Sequence, residues 1–135
     1  MPKTSAPSLR PTILTVDDAK AVRRLAQQAL RDFDCEVSEA DNGFKALFAM
    51  ERTLPDLILL DVNMPTMGGL EMLTLLRSKP ELKEIPVIML TSPADHAVSA
   101  QLAALGVSDT LMKPFTPAEL IEKISRVLDL KRLHS

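Results

Sequence analysis

The fold of this chain is decided by one stretch, Pro55-Asp-Leu-Ile-Leu-Leu-Asp61-Val-Asn-Met-Pro65. Four consecutive apolar residues lie between two prolines and end at a carboxylate, Asp61. An apolar run of this kind is typical of a strand buried on both faces of a parallel sheet. Ligands of such sheets bind beyond the carboxyl ends of the strands. Asp61 is therefore either a turn-forming residue, the simpler interpretation of one Asp, or part of a site.

The rest of the chain alternates strand patterns with helical ones. We predict four further strands, at 12–16, 35–40, 86–91 and 108–112. The runs at 57–60 and 87–90 are wholly apolar and belong in the sheet interior, whereas 35–40 and 108–112 are more polar and belong at its edges. Alternating strands and helices predict an α/β fold, a single doubly wound parallel sheet of five strands with five helices, in the order 2-1-3-4-5.

Helix boundaries are marked by turn and capping residues. The first helix should bury a stripe from Val22 to Phe33, and the second, begun by Asn42-Gly43, should point Phe44, Leu47 and Phe48 inward. A helix over 95–105 should end at Gly106. Thr116-Pro-Ala-Glu119 forms a capping box for the last helix. We expect a loose tail at 1–11, one domain at 12–130 and a short tail at 131–135.

Composition narrows the classes of function. The chain has 135 residues, enough for one domain, and its formal charge of −2 gives no basic footprint for nucleic acid. The one cysteine, Cys35, cannot form an internal disulfide, and we interpret it as a packing residue. No apolar run is long enough to cross a bilayer. These features predict a cytoplasmic protein without direct nucleic-acid binding or membrane insertion.

Polar residues follow four of the predicted strands at the same edge of the sheet. They are Asp17, Asp18, Asp61, Thr91 and Lys113. Each has an ordinary alternative, because Asp18 could cap a helix, Thr91 could simply end a strand and Lys113 could be solvated. Together they are unusual, since close carboxylates repel each other by roughly 4 kcal/mol per pair at an effective dielectric of about 20. One lysine cannot neutralise three carboxylates.

Either one of these carboxyl groups holds a proton or a divalent cation lies between them. Oxygen ligands with open positions suit Mg²⁺, which usually binds one or two carboxylates and a phosphate oxygen. A cation, a lysine, a hydroxyl and an exposed carboxylate are the parts of a phosphoryl-transfer site. In such a site Asp61 would attack phosphorus in line and become an aspartyl phosphate.

Four spaced motifs resemble one known family. They are Val16-Asp17-Asp18, Leu60-Asp61-Val-Asn-Met-Pro65 with Gly68-Gly69, Leu90-Thr91, and Leu111-Met-Lys113-Pro114-Phe115. This set is similar to the receiver domains of two-component response regulators, the CheY-like proteins of flavodoxin-like fold. The resemblance extends over about 12–130, nearly the whole chain.

The resemblance assigns a role to each residue. It implies that Asp61 accepts the phosphoryl group, and that Mg²⁺ is held by Asp18, Asp61 and the backbone carbonyl of Asn63, with Asp17 nearby through water. Thr91 and Lys113 would contact the phosphoryl group. The peptide bond between Lys113 and Pro114 would be cis. Such a protein is not an enzyme in the usual sense, because it catalyses only its own phosphorylation and dephosphorylation.

Two positions depart from the family or modify it. Receivers often carry an aromatic residue three before the lysine, where this chain has Thr110. The signal would then leave through Ser92-Pro93 and the helix from Asp95, or the protein would pass its phosphate on. Pro93 could also restrict the access of water and so alter the lifetime of the phosphoprotein.

The resemblance leaves several roles open. The first is a stand-alone receiver, a monomer or weak dimer, phosphorylated by a sensor histidine kinase or a phosphotransfer protein and binding a downstream protein through its last two helices and edge strand. Chemotaxis-type signalling is the leading case, followed by a phosphorelay intermediate or a phosphate sink. The basic first helix, with Lys20, Arg23 and Arg24, could dock the kinase or be an ordinary solvated face.

Two other classes fit less well. A magnesium phosphatase of the haloacid dehalogenase type needs a second carboxylate two residues after the nucleophile, where this chain has Asn63. A flavodoxin-type FMN binder needs hydroxyls and amides in its first loop, where Asp17-Asp18 would repel a phosphate.

Overall fold

Residues 10–133 are described by a computed structural model of the chain. Its strands are β1 (Thr12–Val16), β2 (Glu36–Ala40), β3 (Leu57–Asp61), β4 (Val87–Thr91) and β5 (Asp109–Met112). They form one parallel sheet in the order β2-β1-β3-β4-β5, which confirms the predicted topology. Every residue of β3 is buried, whereas β2 and β5, the two edge strands, are largely exposed.

Helices cover both faces of this sheet. They are α1 (Lys20–Ala29), α2 (Gly43–Arg52), α3 (Gly69–Ser78), α4 (Ser99–Leu105) and α5 (Pro117–Ser125). One apolar core contains residues of α2, α3 and α4, and the other contains residues of α1 and α5. The apolar residues of β3 alternate between the two cores, with Ile58 in the first and Leu59 in the second. No helix described within 10–133 has the length and hydropathy needed to span a membrane.

Local sequence signals explain where several elements begin. Thr116 accepts a hydrogen bond from the Glu119 amide, and Glu119 accepts one from the Thr116 amide, so the predicted capping box of α5 is confirmed. Gly106 follows α4 with a φ of 87°, a conformation that glycine adopts without strain. Cys35 is buried, and burial raises the pKa of its thiol, as suits a packing residue.

The orientation predicted for α2 is confirmed for Leu47, which packs against the first core, and is wrong for the two phenylalanines. Phe44 and Phe48 are 55% and 64% exposed, and the buried positions of the helix are Gly43, Ala46 and Met50. A small residue or a flexible methionine at these positions lets the helix lie close to the sheet. The prediction placed both phenylalanines inside, and the buried positions are instead taken by two small residues and a methionine.

The helix predicted over 95–105 is divided in two. A 3₁₀ helix, Pro93–Val98, comes first, and α4 follows it directly. Pro93 takes the first position of the 3₁₀ helix, where a missing N–H has no cost. The backbone amide of Ser92, just before Pro93, donates a hydrogen bond to the side chain of Asp95.

The two expected tails contact the domain where the structure describes them. Arg10 donates to the Cys35 carbonyl and forms an ion pair with Asp34 at 2.9 Å. The Asp34 amide donates to the Lys131 carbonyl, and the Leu133 amide donates to the Asp32 carbonyl. Residues 1–9 and 134–135 lie outside the described residues. The domain boundary at 12–130 stays a prediction.

Candidate functional site

Two buried aspartates lie side by side at the carboxyl edge of the sheet. Asp61 ends β3, and Asp17 directly follows β1. The parallel register pairs Val16 with Leu60, so each aspartate is the next residue along its strand. Asp17 is completely buried and Asp61 is 4% exposed. The prediction that these residues meet at one edge is confirmed.

Lys113 lies between the two aspartates. Its Nζ is 2.7 Å from Asp17 Oδ2 and 3.0 Å from Asp61 Oδ1. The lysine side chain is only 24% exposed, so the alternative of a solvated lysine is excluded. The peptide bond from Lys113 to Pro114 is cis, as the resemblance implied. The position after β5 is therefore used to place one positive charge between two negative ones.

The local environment changes the pKa of both partners. Burial raises the pKa of Asp61 to about 6, although Lys113 opposes this effect. Burial lowers the pKa of Lys113, but the carboxylates of Asp17 and Asp61 outweigh it and the net pKa is raised. The raised pKa of Lys113 favours its positively charged form. The negative charge of Asp61 is only partly compensated by Lys113.

A third carboxylate, Asp18, completes the acidic cluster. One oxygen each from Asp17, Asp18 and Asp61 lie within 4.8 Å of one another, and Asp18 is exposed. Asp18 does not cap α1, because the N-cap of this helix is Ala19 and no side chain makes a capping hydrogen bond there. The Ala19 amide itself donates to Asp17 Oδ1 at 2.8 Å. Three carboxylates and one lysine leave an excess of negative charge, and the carboxylate of Asp18 is the exposed one of the three. This group could hold a metal ion.

Asn63 and Thr91 join the site in different ways. The backbone N–H of Asn63 donates to Asp61 Oδ1 at 3.4 Å. Asp61 pairs with Leu90 in the β3–β4 register, so Thr91 lies one residue farther along β4. The Thr91 carbonyl accepts a hydrogen bond from the backbone N–H of Lys113 at 2.7 Å. Thr91 is thus placed by register and backbone contact, whereas Asn63 contacts the Asp61 carboxylate itself.

Comparison with known proteins agrees with this geometry. The response regulator receiver domain model matches residues 13–125. The chain belongs to the response regulator receiver family. The chemotaxis protein CheY-3 of Vibrio cholerae serotype O1 is 37% identical over 118 residues, which cover 87% of this chain and 91% of that protein. Protein PilG of Pseudomonas aeruginosa is 34% identical over 112 residues, or 83% of each chain.

Solved receiver structures share the architecture. The chemotaxis response regulator CheY4 of Vibrio cholerae superposes with a TM-score of 0.81 at 34% identity, over 88% of this chain and 99% of that one. A response regulator from Chloroflexus aurantiacus gives a TM-score of 0.82 at 32% identity, over 89% and 98% of the two chains. Receivers are signalling proteins that accept a phosphoryl group and change their affinity for partners, and this chain is a phospho-accepting receiver.

One residue of the receiver was not predicted to belong near the site. The sequence predicts Asp95 only as the start of a helix, but the residue is buried and its Oδ1 accepts a hydrogen bond from the side-chain amide of Asn63. The sequence carries a partial signal, because Asp follows Ser92 by three residues, the spacing of a capping box. That spacing explains the contact with Ser92 but not the one with Asn63.

A groove lies beside Thr110, the position where receivers often carry an aromatic residue. Thr110 is exposed on β5, and a cavity of about 250 Å³ opens beside it. Its lining comes from β4, the 3₁₀ helix, α4 and β5, and includes Thr91, Ser92, Pro93, Leu102, Val107, Thr110 and Met112. Pro93 is exposed at the rim, and its effect on phosphate lifetime stays a prediction.

Proposed function

We propose that Asp61 is the residue that accepts the phosphoryl group. The observation that supports it best is the contact of Asp61 Oδ1 with Lys113 in a buried acidic cluster. The raised pKa of Asp61 marks a carboxylate whose charge is poorly compensated, and such groups cluster at functional sites. An open cleft is lined by Asp18, Val62 and Asn63, which are sequence neighbours of Asp17 and Asp61, and a donor would approach through it.

The phosphoryl group would be transferred to Asp61 from a phosphohistidine of the donor protein. A carboxylate oxygen of Asp61 attacks phosphorus, the O–P bond forms, and the N–P bond to the histidine breaks with its electron pair going to the imidazole, which takes a proton. Lys113 offsets negative charge on the phosphoryl oxygens, and the Thr91 hydroxyl donates a hydrogen bond to one of them. Water later attacks the acyl phosphate and regenerates the Asp61 carboxylate and inorganic phosphate.

The acidic cluster fits Mg²⁺ as the cofactor. Asp18, Asp61 and the backbone carbonyl of Asn63 would hold the ion, and Asp17, which is already bonded to Lys113 and Ala19, would act through water. Bound there, Mg²⁺ supplies positive charge to the phosphoryl oxygens. The oxygen-only donor set and the excess negative charge support this assignment.

We propose chemotaxis-type signalling, with a sensor histidine kinase or phosphotransfer protein as donor and a downstream protein as target. The similarity to CheY-3 and the CheY protein of Pseudomonas aeruginosa supports this role. The face of α4, β5 and α5 would bind the target. On α1, only Lys20 and Arg24 are free to dock the donor, because Arg23 donates to Glu39 and to the Asp17 carbonyl, both at 2.8 Å.

Intact-mass spectrometry tests the assignment directly, and it suits a chain without tryptophan. Incubation with a small-molecule phosphodonor and Mg²⁺ should add one phosphate to the natural protein and none to Asp61→Asn. Asp56→Asn is the matched control, because Asp56 is an exposed aspartate just before the other end of β3. Phosphate on Asp61→Asn would place the acceptor elsewhere.

A further inference from the structure

Asp95 is a buried acid that phosphoryl transfer itself does not require. It is 8% exposed, although Ala94 and His96, its neighbours on the 3₁₀ helix, are both exposed. A buried carboxylate is costly unless its oxygens are hydrogen-bonded. Among the residues described, the donors to Asp95 are the amide and hydroxyl of Ser92 and the side-chain amide of Asn63.

These contacts use both carboxylate oxygens, in two directions. Oδ2 accepts from the Ser92 amide at 2.8 Å and from the Ser92 hydroxyl at 3.1 Å, which caps the 3₁₀ helix. Oδ1 accepts from the side chain of Asn63, in the loop after β3. Capping of the helix requires only the contacts of Oδ2. Oδ1 joins the loop after β3 to the 3₁₀ helix, through residues that are 32 apart in sequence.

We infer that Asp95 is a positioning residue that couples the loop after β3 to the 3₁₀ helix, Pro93–Val98. This inference rests on the proposed phosphorylation of Asp61. It gives the receiver a route for its signal that needs no aromatic residue at Thr110. Of the groups that line the groove, only Asp95 also contacts the Asn63 loop through the described hydrogen bonds.

The route begins at the carboxylate that changes. Asp61 Oδ1 accepts a hydrogen bond from the Asn63 backbone N–H, so conversion of the Asp61 carboxylate to an acyl phosphate changes the acceptor of that hydrogen bond. Asn63 is held to Asp95 by its side chain, so a shift of Asn63 pulls on the residue that caps the 3₁₀ helix. Ser92, the other end of that cap, is bonded covalently to Thr91. The Asn63 loop and the end of β4 at Thr91, which border the proposed phosphoryl pocket, are therefore both connected to Asp95.

The responding element is suited to movement. A 3₁₀ helix has poorer hydrogen-bond geometry than an α-helix and is short. Pro93, Ala94, His96 and Ala97 are exposed, and the groove lies along one side of the segment. Loss or rearrangement of the Asp95 contacts should therefore change the opening of this helix more than that of the packed helices.

Hydrogen exchange of backbone amides, measured by mass spectrometry on the phosphorylated molecules, tests the coupling. In the natural protein, adding Mg²⁺ and phosphodonor should change exchange at both 62–66 and 92–98. In Asp95→Ala, one phosphate should still be added and 62–66 should still respond. The change over 92–98 should fall to less than about a third of its natural size.

Two further variants separate positioning from general stability. Asp95→Asn should restore the response, because the new amide can donate to Asn63 once the Asn63 side chain has flipped, while its oxygen still accepts from Ser92. His96→Ala removes the exposed side chain next to Asp95 and should leave the response unchanged. Asn63→Ala breaks the same contact from the other side and replaces Asp95→Ala if that variant does not fold.

The outcomes distinguish the two claims. An undiminished response over 92–98 in phosphorylated Asp95→Ala or Asn63→Ala would overturn the coupling and leave the phosphorylation of Asp61 intact. The same holds if 92–98 does not respond in the natural protein. If the natural protein takes up no phosphate, the proposed function fails and the coupling fails with it.

Discussion

The two sides of the proposed phosphoryl site are built in opposite ways. On the inner side, which we call the closed corner, Asp17, Asp61 and Lys113 are in direct contact, and Gly69 packs against the backbone of Asp61. On the outer side, the open corner, a groove of about 250 Å³ lies beside Thr110. The contrast teaches that the groups proposed to carry out phosphoryl transfer are fixed by charge and close packing, whereas the region proposed to transmit the signal is loosely packed. Substitutions should therefore matter more in the closed corner.

Gly69→Ala should have the largest effect. A Cβ there would lie 2.2 Å from the Asp61 carbonyl oxygen and 2.8 Å from Val62 Cα, so the backbone at the end of β3 must move. We expect a loss of about 3 kcal/mol in unfolding free energy, measured by urea denaturation. Gly68→Ala is the matched control, because its Cβ would meet the Val62 carbonyl oxygen only at 3.4 Å. Equal losses in the two variants would show that the close approach at Gly69 is unimportant.

Lys113→Ala should come next. It leaves two buried carboxylates without their cation, and with discounting for partial exposure we expect a loss of about 2 kcal/mol in the metal-free protein, reduced when Mg²⁺ is added. Phosphate uptake, followed by mass spectrometry, should be strongly reduced. Lys123→Ala is a fair comparison because Lys123 is equally exposed and lies 3.0 Å from Asp109. A stable Lys113→Ala protein with normal uptake would remove the lysine from the site.

Asp61→Asn should stabilise the metal-free protein in a pH-dependent way. The pKa of Asp61 is about 6 in the fold against an ordinary value of 3.8, so burying its charge costs stability above about pH 6. This cost is relieved as the pH falls through 6 towards 3.8. The substitution should therefore add about 2 kcal/mol to the unfolding free energy near pH 8 and almost nothing near pH 4.

Asp109→Asn provides a control of opposite sign. Burial raises the pKa of Asp109, but the hydrogen bond from Lys123 and the other partners outweigh it, and the net pKa is lowered. Its contribution to stability is present above the unfolded pKa and is lost as the pH falls, so this substitution should destabilise the protein at neutral pH. A pH-independent effect of Asp61→Asn would contradict the burial of its charge.

The smallest effect is expected in the open corner. Thr110→Leu places apolar area beside Leu102 and Val107, and because the position is exposed we expect a gain of no more than about 1 kcal/mol. Chemical denaturation with the phosphoryl site empty provides the measurement. A loss as large as that of Lys113→Ala would show that the groove is as tightly constrained as the closed corner.

Much of this molecule could be predicted from local patterns. The apolar run before Asp61 and the alternation of Glu36–Ala40 determine which strands are central and which lie at the edge, and parallel order then brings Asp17, Asp61 and Lys113 to one side. These predictions need only the period of the side chains and the direction of the strands. The capping box at Thr116 is equally local.

Contacts between different helices, strands and loops could not be predicted from the sequence. The bond from Asn63 to Asp95 and the bonds from Arg23 to Glu39 and to the Asp17 carbonyl join residues whose relative positions depend on the packed fold. The misplaced Phe44 has a related cause, because which stripe of a helix is buried depends on how closely it can approach the sheet. Size and hydrophobicity alone do not give that distance.

The segments at the two ends of the described residues, around Arg10 and Lys131, meet at one place. Arg10 and Lys131 both contact the turn at Asp34, at the amino end of the sheet, and Pro11 accepts a hydrogen bond from Glu36 beside them. A fluorescent label or surface tether attached through either segment would therefore be held on the side of the molecule opposite the aspartates. Such attachments leave the approach of a phosphodonor unobstructed. Two labels, one on each segment, would lie close together and would not span the length of the molecule.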